Sequence, residues 1–364
     1  MHIRQIKLKE LRDFIESEEF KKSNILPVTR ERALSQTLNP RADAEDIVLT
    51  IAYNDKDEII AYVGALPDQI KKKTKVAWNT CWYSTPGEGG TIALPLFLQF
   101  VKDYNKKVIF QDLTPHTTKI LRSLPNFEFI ATKKGYRIFY RFATAKIIIN
   151  KIPKLSFLKG LLLFCDKICN FFYSFRLKYW KKKINTVVVV EKVDEIDQEI
   201  DDFIKSHNKD ELFRRGANEL RWILDNKWLK ERKDKDDKPE TRYHFSYLVN
   251  SFDYHLLKFK IENKLIGFVL LKQRDGNVDT PYVYIEKTYE IEIGRSLLQY
   301  ILEIRAGSFL TFNHDLLTVF SKINNPRLFK KKLQRDIVVG KELLNEIDSK
   351  KIILQDGDGD GVFT

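Results

Sequence analysis

The sequence predicts an α/β (α+β) protein made of two copies of one unit, each a mixed, mostly antiparallel sheet flanked by helices. Recurrence is the first reason. Leu11-Arg12-Asp13-Phe14-Ile15-Glu16-Ser17 returns as Ile200-Asp201-Asp202-Phe203-Ile204-Lys205-Ser206, and Asp57-Glu58-Ile59-Ile60-Ala61-Tyr62-Val63-Gly64 as Asn263-Lys264-Leu265-Ile266-Gly267-Phe268-Val269-Leu270. Thr114-Pro115-His116 returns more faintly as Phe312-Asn313-His314-Asp315. The pairs keep their order at offsets of roughly two hundred residues, the size of a domain and not of a solenoid repeat. The second reason is periodicity. Each copy reads as strand, helix, meander, helix, strand, helix and strand by its apolar spacing.

Composition fits two cores. The chain has 364 residues, 43% of them hydrophobic and 12% aromatic, enough for two globular domains. Lys and Arg number 63 against 50 Asp and Glu, and the net charge of +13 favours a polyanionic partner. Cys81, Cys165 and Cys169 are too few and too irregular for a disulfide framework, which points to a reducing, cytoplasmic setting. No metal site is expected, because Cys165 and Cys169 lack partners at ligand spacing. His2 to Phe20 is charged throughout and shows no secretory h-region. No stretch reaches the ~20 apolar residues of a membrane span.

In the first copy, Met1–Lys9 reads as a strand and Leu11–Phe20 as a helix. Ile47–Tyr53 and Ile59–Ala65 form a hairpin about Asn54-Asp55-Lys56-Asp57, followed by the aromatic strand Lys75–Ser84. The breakers Thr85-Pro86-Gly87-Glu88-Gly89-Gly90 come next, then a helix over Thr91–Tyr104. Val108–Leu113 is a strand and Thr117–Leu124 a helix. Phe127–Ala131 and Tyr136–Phe142 pair around Lys133-Lys134-Gly135.

The stretch Lys151–Lys183 has nine Lys and Arg against the single Asp166, interleaved with Leu161, Phe164, Ile168, Phe171, Phe172, Phe175 and Trp180. Two readings suit it: helices that pack the domains together, or an interfacial element in peripheral contact with an anionic membrane. The predicted domains are therefore 1–145, a helical linker 146–185, and 186–364.

The second copy begins with a strand over Thr186–Val193 and a helix over Glu195–Ser206. Arg221-Trp222 opens a short basic helix that reaches Trp228, where packing is the expected use of the tryptophans. A charged insert, Leu229 to Arg242, is expected as an exposed loop. Phe245–Val249, His255–Ile261 and Lys264–Lys272 form a meander, and Tyr282–Ile285 is a strand. A helix over Ile293–Ile304, a strand over Phe309–Phe312 and a helix over Leu316–Lys322 follow. Lys351–Leu354 and Val362-Phe363 supply the last strands. The intervening Asp356-Gly357-Asp358-Gly359-Asp360-Gly361 lacks the distal Glu of a calcium loop and reads as an acidic turn.

The turn after Ser84 carries the chemistry. Glycines let backbone approach a ligand, and the first N–H groups of a helix have no intrahelical partner. With the helix dipole they form an anion site. Gly87, Gly89, Gly90 and Thr91 stand there, although Glu88 sets a carboxylate beside the proposed phosphate. In the second copy only Gly294 matches, among Glu286, Glu290 and Glu292.

This order of elements and this turn resemble the GCN5-related N-acetyltransferase (GNAT) fold, over roughly 1–145 and 186–364. The family's turn pattern is Gln or Arg, two residues, Gly, one residue, then Gly or Ala. Ser84-Thr85-Pro86-Gly87-Glu88-Gly89 keeps the glycines but has Ser84 in the first place. The resemblance implies two tandem GNAT-like domains. It also implies an acyl-CoA-dependent N-acyltransferase, with acetyl-CoA or another acyl-CoA as co-substrate and an unidentified amine as acceptor. Trp82, Tyr83, Ser84, Gly87, Gly89, Gly90 and Thr91 would hold the CoA, with backbone near Cys81–Tyr83 as oxyanion donor. The second copy is expected to bind CoA poorly or not at all.

The base and acid vary within the family. By position, Asp112 and His116 are the catalytic candidates. Cys81 reads as buried packing, and Tyr53 and Tyr83 as acids indistinct from core tyrosines. A distant similarity to Fem-type aminoacyl ligases offers an alternative with charged tRNA as donor; beyond that tRNA, no nucleic-acid partner is expected. A catalytically inactive binding protein of the same fold is the third reading. Rossmann, Walker and G-x-S-x-G motifs are absent from the sequence.

Overall fold

A computed structural model describes residues 1–70, 74–234, 240–348 and 352–364. The chain forms two units that interleave in sequence. Residues 1–133, 196–250 and 335–364 make the first; residues 134–195 and 251–334 make the second.

Strand β1 (His2–Lys7) runs into helices α1 (Leu8–Glu16), α2 (Glu18–Lys22) and α3 (Arg30–Thr37). Helix α1 buries Leu8, Leu11, Phe14 and Ile15, one stripe at helical spacing. Ser17 and Thr29 cap the next two helices by accepting from the N–H groups of Phe20 and Arg32. The meander β2 (Ile47–Tyr53), β3 (Ile59–Ile70) and β4 (Thr74–Ser84) follows. Asn54 organises its first turn, its side-chain oxygen accepting from the N–H groups of Lys56 and Glu58. Next come α4 (Glu88–Asp103), β5 (Val108–Phe110), α5 (Pro115–Ser123) and β6 (Phe127–Phe139).

The chain continues through α6 (Thr144–Lys151), a 3-10 turn over Pro153–Leu158, α7 (Lys159–Lys183) and β7 (Val189–Val193). It then supplies α8 (Gln198–His207), α9 (Ala217–Asp225) and the short parallel pair β8 (Lys230–Glu231) and β9 (Leu248–Val249). The rest of the second unit is β10 (Phe252–Ile261), β11 (Lys264–Arg274), β12 (Asn277–Ile285), α10 (Glu290–Glu303), β13 (Ser308–Thr311) and α11 (His314–Lys322). Strand β14 (Phe329–Gly340) and α12 (Lys341–Leu344) follow.

In the first unit the strand order is β1-β2-β3-β4-β5-β14, antiparallel except for β4–β5. In the second it is β7-β10-β11-β12-β13-β6, antiparallel except for β12–β13. The two orders match position for position. The last strand of each unit is an exchange: β14, from late in the chain, pairs with β5, and β6, from the first half, pairs with β13. This is a mixed, mostly antiparallel α/β architecture. No local pattern announces the exchange, since a strand's own periodicity does not name its neighbour.

Both faces of the first sheet are covered. Ala61, Val63 and Ala65 of β3 pack with Leu96, Phe97 and Phe100 of α4, while Tyr62 packs with Leu11, Phe14 and Ile15 of α1. Strand β3 therefore reads as a continuous apolar run rather than an alternation. In the second unit, Leu297 and Ile301 of α10 close on Leu257, Val269 and Phe309 of the sheet.

Three local expectations are corrected. Phe127–Ala131 and Tyr136–Phe142 are not a hairpin: Phe127–Phe139 is one strand, β6, and Tyr140–Phe142 lies beyond its end. Gly135 serves close approach and not a turn, because a side chain there would overlap the ring of Phe312. The insert Leu229 to Arg242 is not wholly an exposed loop: Leu229 is buried and Lys230–Glu231 pairs with Leu248–Val249. Residues 235–239 of the insert lie outside the described residues, as does Lys351 of the expected last strand. Ile353 makes only an isolated bridge to Glu211, and Val362-Phe363 lies in a turn. Phe363 is instead a core residue, stacked at 4.4 Å on Trp228 and edge-on to Trp222.

Candidate functional site

The site is built where β4 leaves its parallel neighbour. Ala77 and Trp78 pair with Val108 and Ile109 of β5. Beyond them β4 runs on to Ser84 beside β3 alone, with Gly64 opposite Cys81, Val63 opposite Trp82 and Tyr62 opposite Tyr83. The register slips between Gly64 and Ala65, so Thr80 is an extra residue on β4. A bulge twists a strand away from its neighbour, and this one falls where the parallel pairing stops. The edge of β4 facing β5 is left with main-chain donors and acceptors, the arrangement that pairs with an extended, amide-bearing ligand.

The strand ends in the glycine-rich turn. Gly87 has φ +84°, a conformation that disfavours any side chain. Gly89 is the close approach: a Cβ there would stand 2.5 Å from the carbonyl oxygen of Ile60. Gly90 faces open space. Thr91 donates its hydroxyl hydrogen to the carbonyl of Glu88 at 3.1 Å. The first turn of α4 therefore starts at the end of β4: Gly90 donates its N–H to the Gly87 carbonyl at 3.0 Å, and the N–H groups of Glu88 and Gly89 precede that bond, the geometry of an anion site. Glu88 does not occupy that site unheld, since the side-chain amide of Asn54 donates to its carboxylate at 3.3 Å.

The predicted site residues divide by role. The Trp82 ring stacks on Phe97 at 4.6 Å and so belongs to the α4 core, leaving its backbone for a ligand. Tyr83 stacks on His244 with ring centroids 3.8 Å apart. Asp112, at φ +52° just beyond β5, accepts from the Arg335 guanidinium at 2.8 Å. His116 is exposed in the first turn of α5, after the Thr114 cap and Pro115. Asp112 and His116 thus continue from β5, as Asn79–Ser84 continue along β4.

Sequence reasoning missed His244. It lies 161 residues from Tyr83, beside a charged insert, and no motif flags it. Partial burial lowers its pKa, favouring the neutral imidazole.

A second missed group lies under β4. Arg32 of α3 is buried, its guanidinium 4.4 Å over the Trp228 ring and one nitrogen 3.4 Å from the Tyr243 hydroxyl. Its Nη2 has no hydrogen-bond partner, and neither has the buried Tyr62 hydroxyl. Cys81 shares this nest, and burial pushes its thiol up while Arg32 pulls the other way. Net, the thiol is held protonated, so Cys81 is a packing residue and not a nucleophile. Tyr53 is committed elsewhere, donating to Glu19 at 2.6 Å.

The second unit splays similarly, since β12 pairs with β13 only through Asp279. Its Gly294 is buried in α10, where a side chain would overlap Val319 of α11. That glycine serves helix packing. The acidic turn at the chain's end also has a structural use: Lys133 binds Asp356 at 2.7 Å and Arg215 binds Asp358 at 3.1 Å. No cluster of three or more His, Cys, Asp or Glu side chains at metal-binding distance occurs among the described residues.

No family model matches the sequence, and no curated protein matches it. A solved structure from Enterococcus faecalis V583, described as a conserved protein of unknown function and probable N-acyltransferase, aligns with a TM-score of 0.52 at 12% identity. The match covers 96% of this chain and 74% of that one. The fold is that of the GCN5-related N-acetyltransferases. Two further solved structures are a putative acetyltransferase from Pyrococcus horikoshii and a GCN5-related N-acetyltransferase from Kribbella flavida. The first has a TM-score of 0.47 at 14% identity, covering 98% of this chain and 95% of that one. The second has 0.46 at 10%, covering 92% and 71%. Nothing in these comparisons carries the Fem-type likeness.

Proposed function

We propose that the chain transfers an acyl group from an acyl-CoA to an amine, in the first unit. One observation carries the reading: β4 parts from β5 after Trp78 and delivers the Gly87–Thr91 turn at the end of the opened strand. The CoA pyrophosphate would sit against the Gly87–Thr91 turn, on the N–H groups that open α4 at Glu88 and Gly89. The pantetheine amides would pair with the open edge of β4 through Trp82, Tyr83 and Ser84.

In the transfer, the amine nitrogen attacks the thioester carbonyl carbon, the C–N bond forms and the C–S bond breaks. Backbone N–H on the open edge of β4 would stabilise the oxyanion. His244 is our choice for the group that takes the amine proton, because it is accessible, favours the neutral form and stacks on the strand beside the gap. Asp112 is engaged by Arg335, and His116 is the second choice. The departing thiolate takes a proton from an acid or from water.

The test is thermal unfolding with CoA and with acetyl-CoA, for wild type, Gly89→Glu and Gly90→Ala. A native-state ligand at 100 times its Kd stabilises by about 2.7 kcal/mol. Wild type and Gly90→Ala should shift, and Gly89→Glu should not. If neither ligand shifts wild type, the acyl-CoA reading fails, and salt-sensitive tRNA binding separates the Fem-type reading from an inactive binding protein. If the shifts appear, His244→Ala and His116→Ala compared across an amine panel assign the base.

A further inference from the structure

Helix α7 has an inner face and an outer face of opposite character. Asp166, Asn170, Tyr173 and Leu177 follow one another at helical spacing and turn inward. The Asp166 carboxylate accepts from the backbone N–H groups of Thr144 and Ala145 at 3.0 and 2.9 Å. The Asn170 side chain exchanges two hydrogen bonds with the backbone of Phe142, Tyr173 donates to the carbonyl of Pro326, and Leu177 is buried. At 100° per residue the opposite face carries Leu161, Phe164, Ile168, Phe171, Phe175 and Tyr179. All six are exposed, Phe164 and Phe171 at 60% each. The stripe extends backward to Phe157, 77% exposed in the preceding 3-10 turn. A surface this apolar over six turns marks a contact surface.

Charge selects the contact. Lys167 and Lys178 flank the stripe on one side, Arg176 and Lys183 on the other. Among the charged residues of α7 the only acid is Asp166, which is spent on the inner face. A second copy laid face to face would bring two cationic helices together, which like charge opposes. A layer with an apolar interior and an anionic surface satisfies both features at once: the rings enter the acyl boundary and the ammonium and guanidinium groups reach the headgroups. No helix among the described residues is long and apolar enough to cross a membrane, and α7 suits lying along one. We propose that α7 docks the protein, parallel to the surface, on an anionic lipid bilayer.

Flotation of the full chain with vesicles tests this. One set is phosphatidylcholine alone, and the other contains roughly one third phosphatidylglycerol. The protein should float with the anionic set, at least about tenfold more than with the neutral set, and less at high salt. The triple variant Phe164→Ser, Phe171→Ser, Phe175→Ser should lose flotation with its circular dichroism unchanged, because all three side chains are exposed. The pair Lys167→Glu, Lys178→Glu should lose the anionic preference. Protein that stays unbound at low salt with anionic vesicles overturns the proposal. So does a sedimentation-detected dimer that the triple serine variant dissociates while vesicles go unbound, which would assign the stripe to a second copy.

Discussion

Arg215 binds Asp358 across 143 residues of sequence, at 3.1 Å, with both side chains almost fully buried. The same guanidinium reaches Asp68 at 2.7 Å, and Asp68 also accepts from the Trp78 indole at 3.1 Å. The acidic tail of the chain is thereby tied to the strand that carries the site. Burial pushes the Asp358 carboxyl up, and Arg215 opposes that rise. Removing one member of a buried pair leaves an uncompensated charge and typically costs about 3–5 kcal/mol. Arg215→Met should lower the urea-unfolding free energy by that order. Asp358→Asn, which keeps an acceptor for the guanidinium, should cost less. Equal, sub-kilocalorie losses in both would mean that the tail contributes little to folding.

Stability should fall in acid through Glu219. Burial raises its pKa, but the charge and hydrogen bond of Arg41, with the Gly216 N–H, outweigh it, and the net direction is down. A carboxylate whose folded-state pKa lies below its unfolded value adds stability above the unfolded value, about 4.3 for Glu, and loses it as pH falls through the folded value. The melting temperature of wild type should therefore decline more steeply below about pH 4.3 than that of Glu219→Gln. Parallel profiles would refute this role.

Thiol reactivity should separate the cysteines. Cys165 and Cys169 are exposed on α7, whereas Cys81 is buried with its pKa raised. The thiolate is the reactive form, so a chromogenic disulfide reagent at mildly alkaline pH should titrate two thiols quickly. The third should appear only on denaturation. Fast labelling of Cys81 in the native protein would place it in an open site and revive it as a nucleophile.

The sequence by itself determined what is local. Helix stripes such as Leu11-Phe14-Ile15 and the strand–turn–helix at Ser84–Thr91 follow from spacing and breakers, each from a short window, whereas Leu8 read as strand and β14 was not read at all. The one-residue bulge at Thr80 was not legible, because it is a fact about register against β3. Tertiary structure alone decided the rest. The exchange of β6 and β14, the hold of Asn54 on Glu88, the stacking of His244 on Tyr83 and the Arg215–Asp358 tie all join residues far apart in the chain. Gly135 shows the same limit: its glycine suggested a turn, and the Phe312 ring, far away in sequence, explains it instead. Local propensity limits what a segment can form, but pairing and burial energies between distant segments decide what meets, and those are set only when the whole chain has folded.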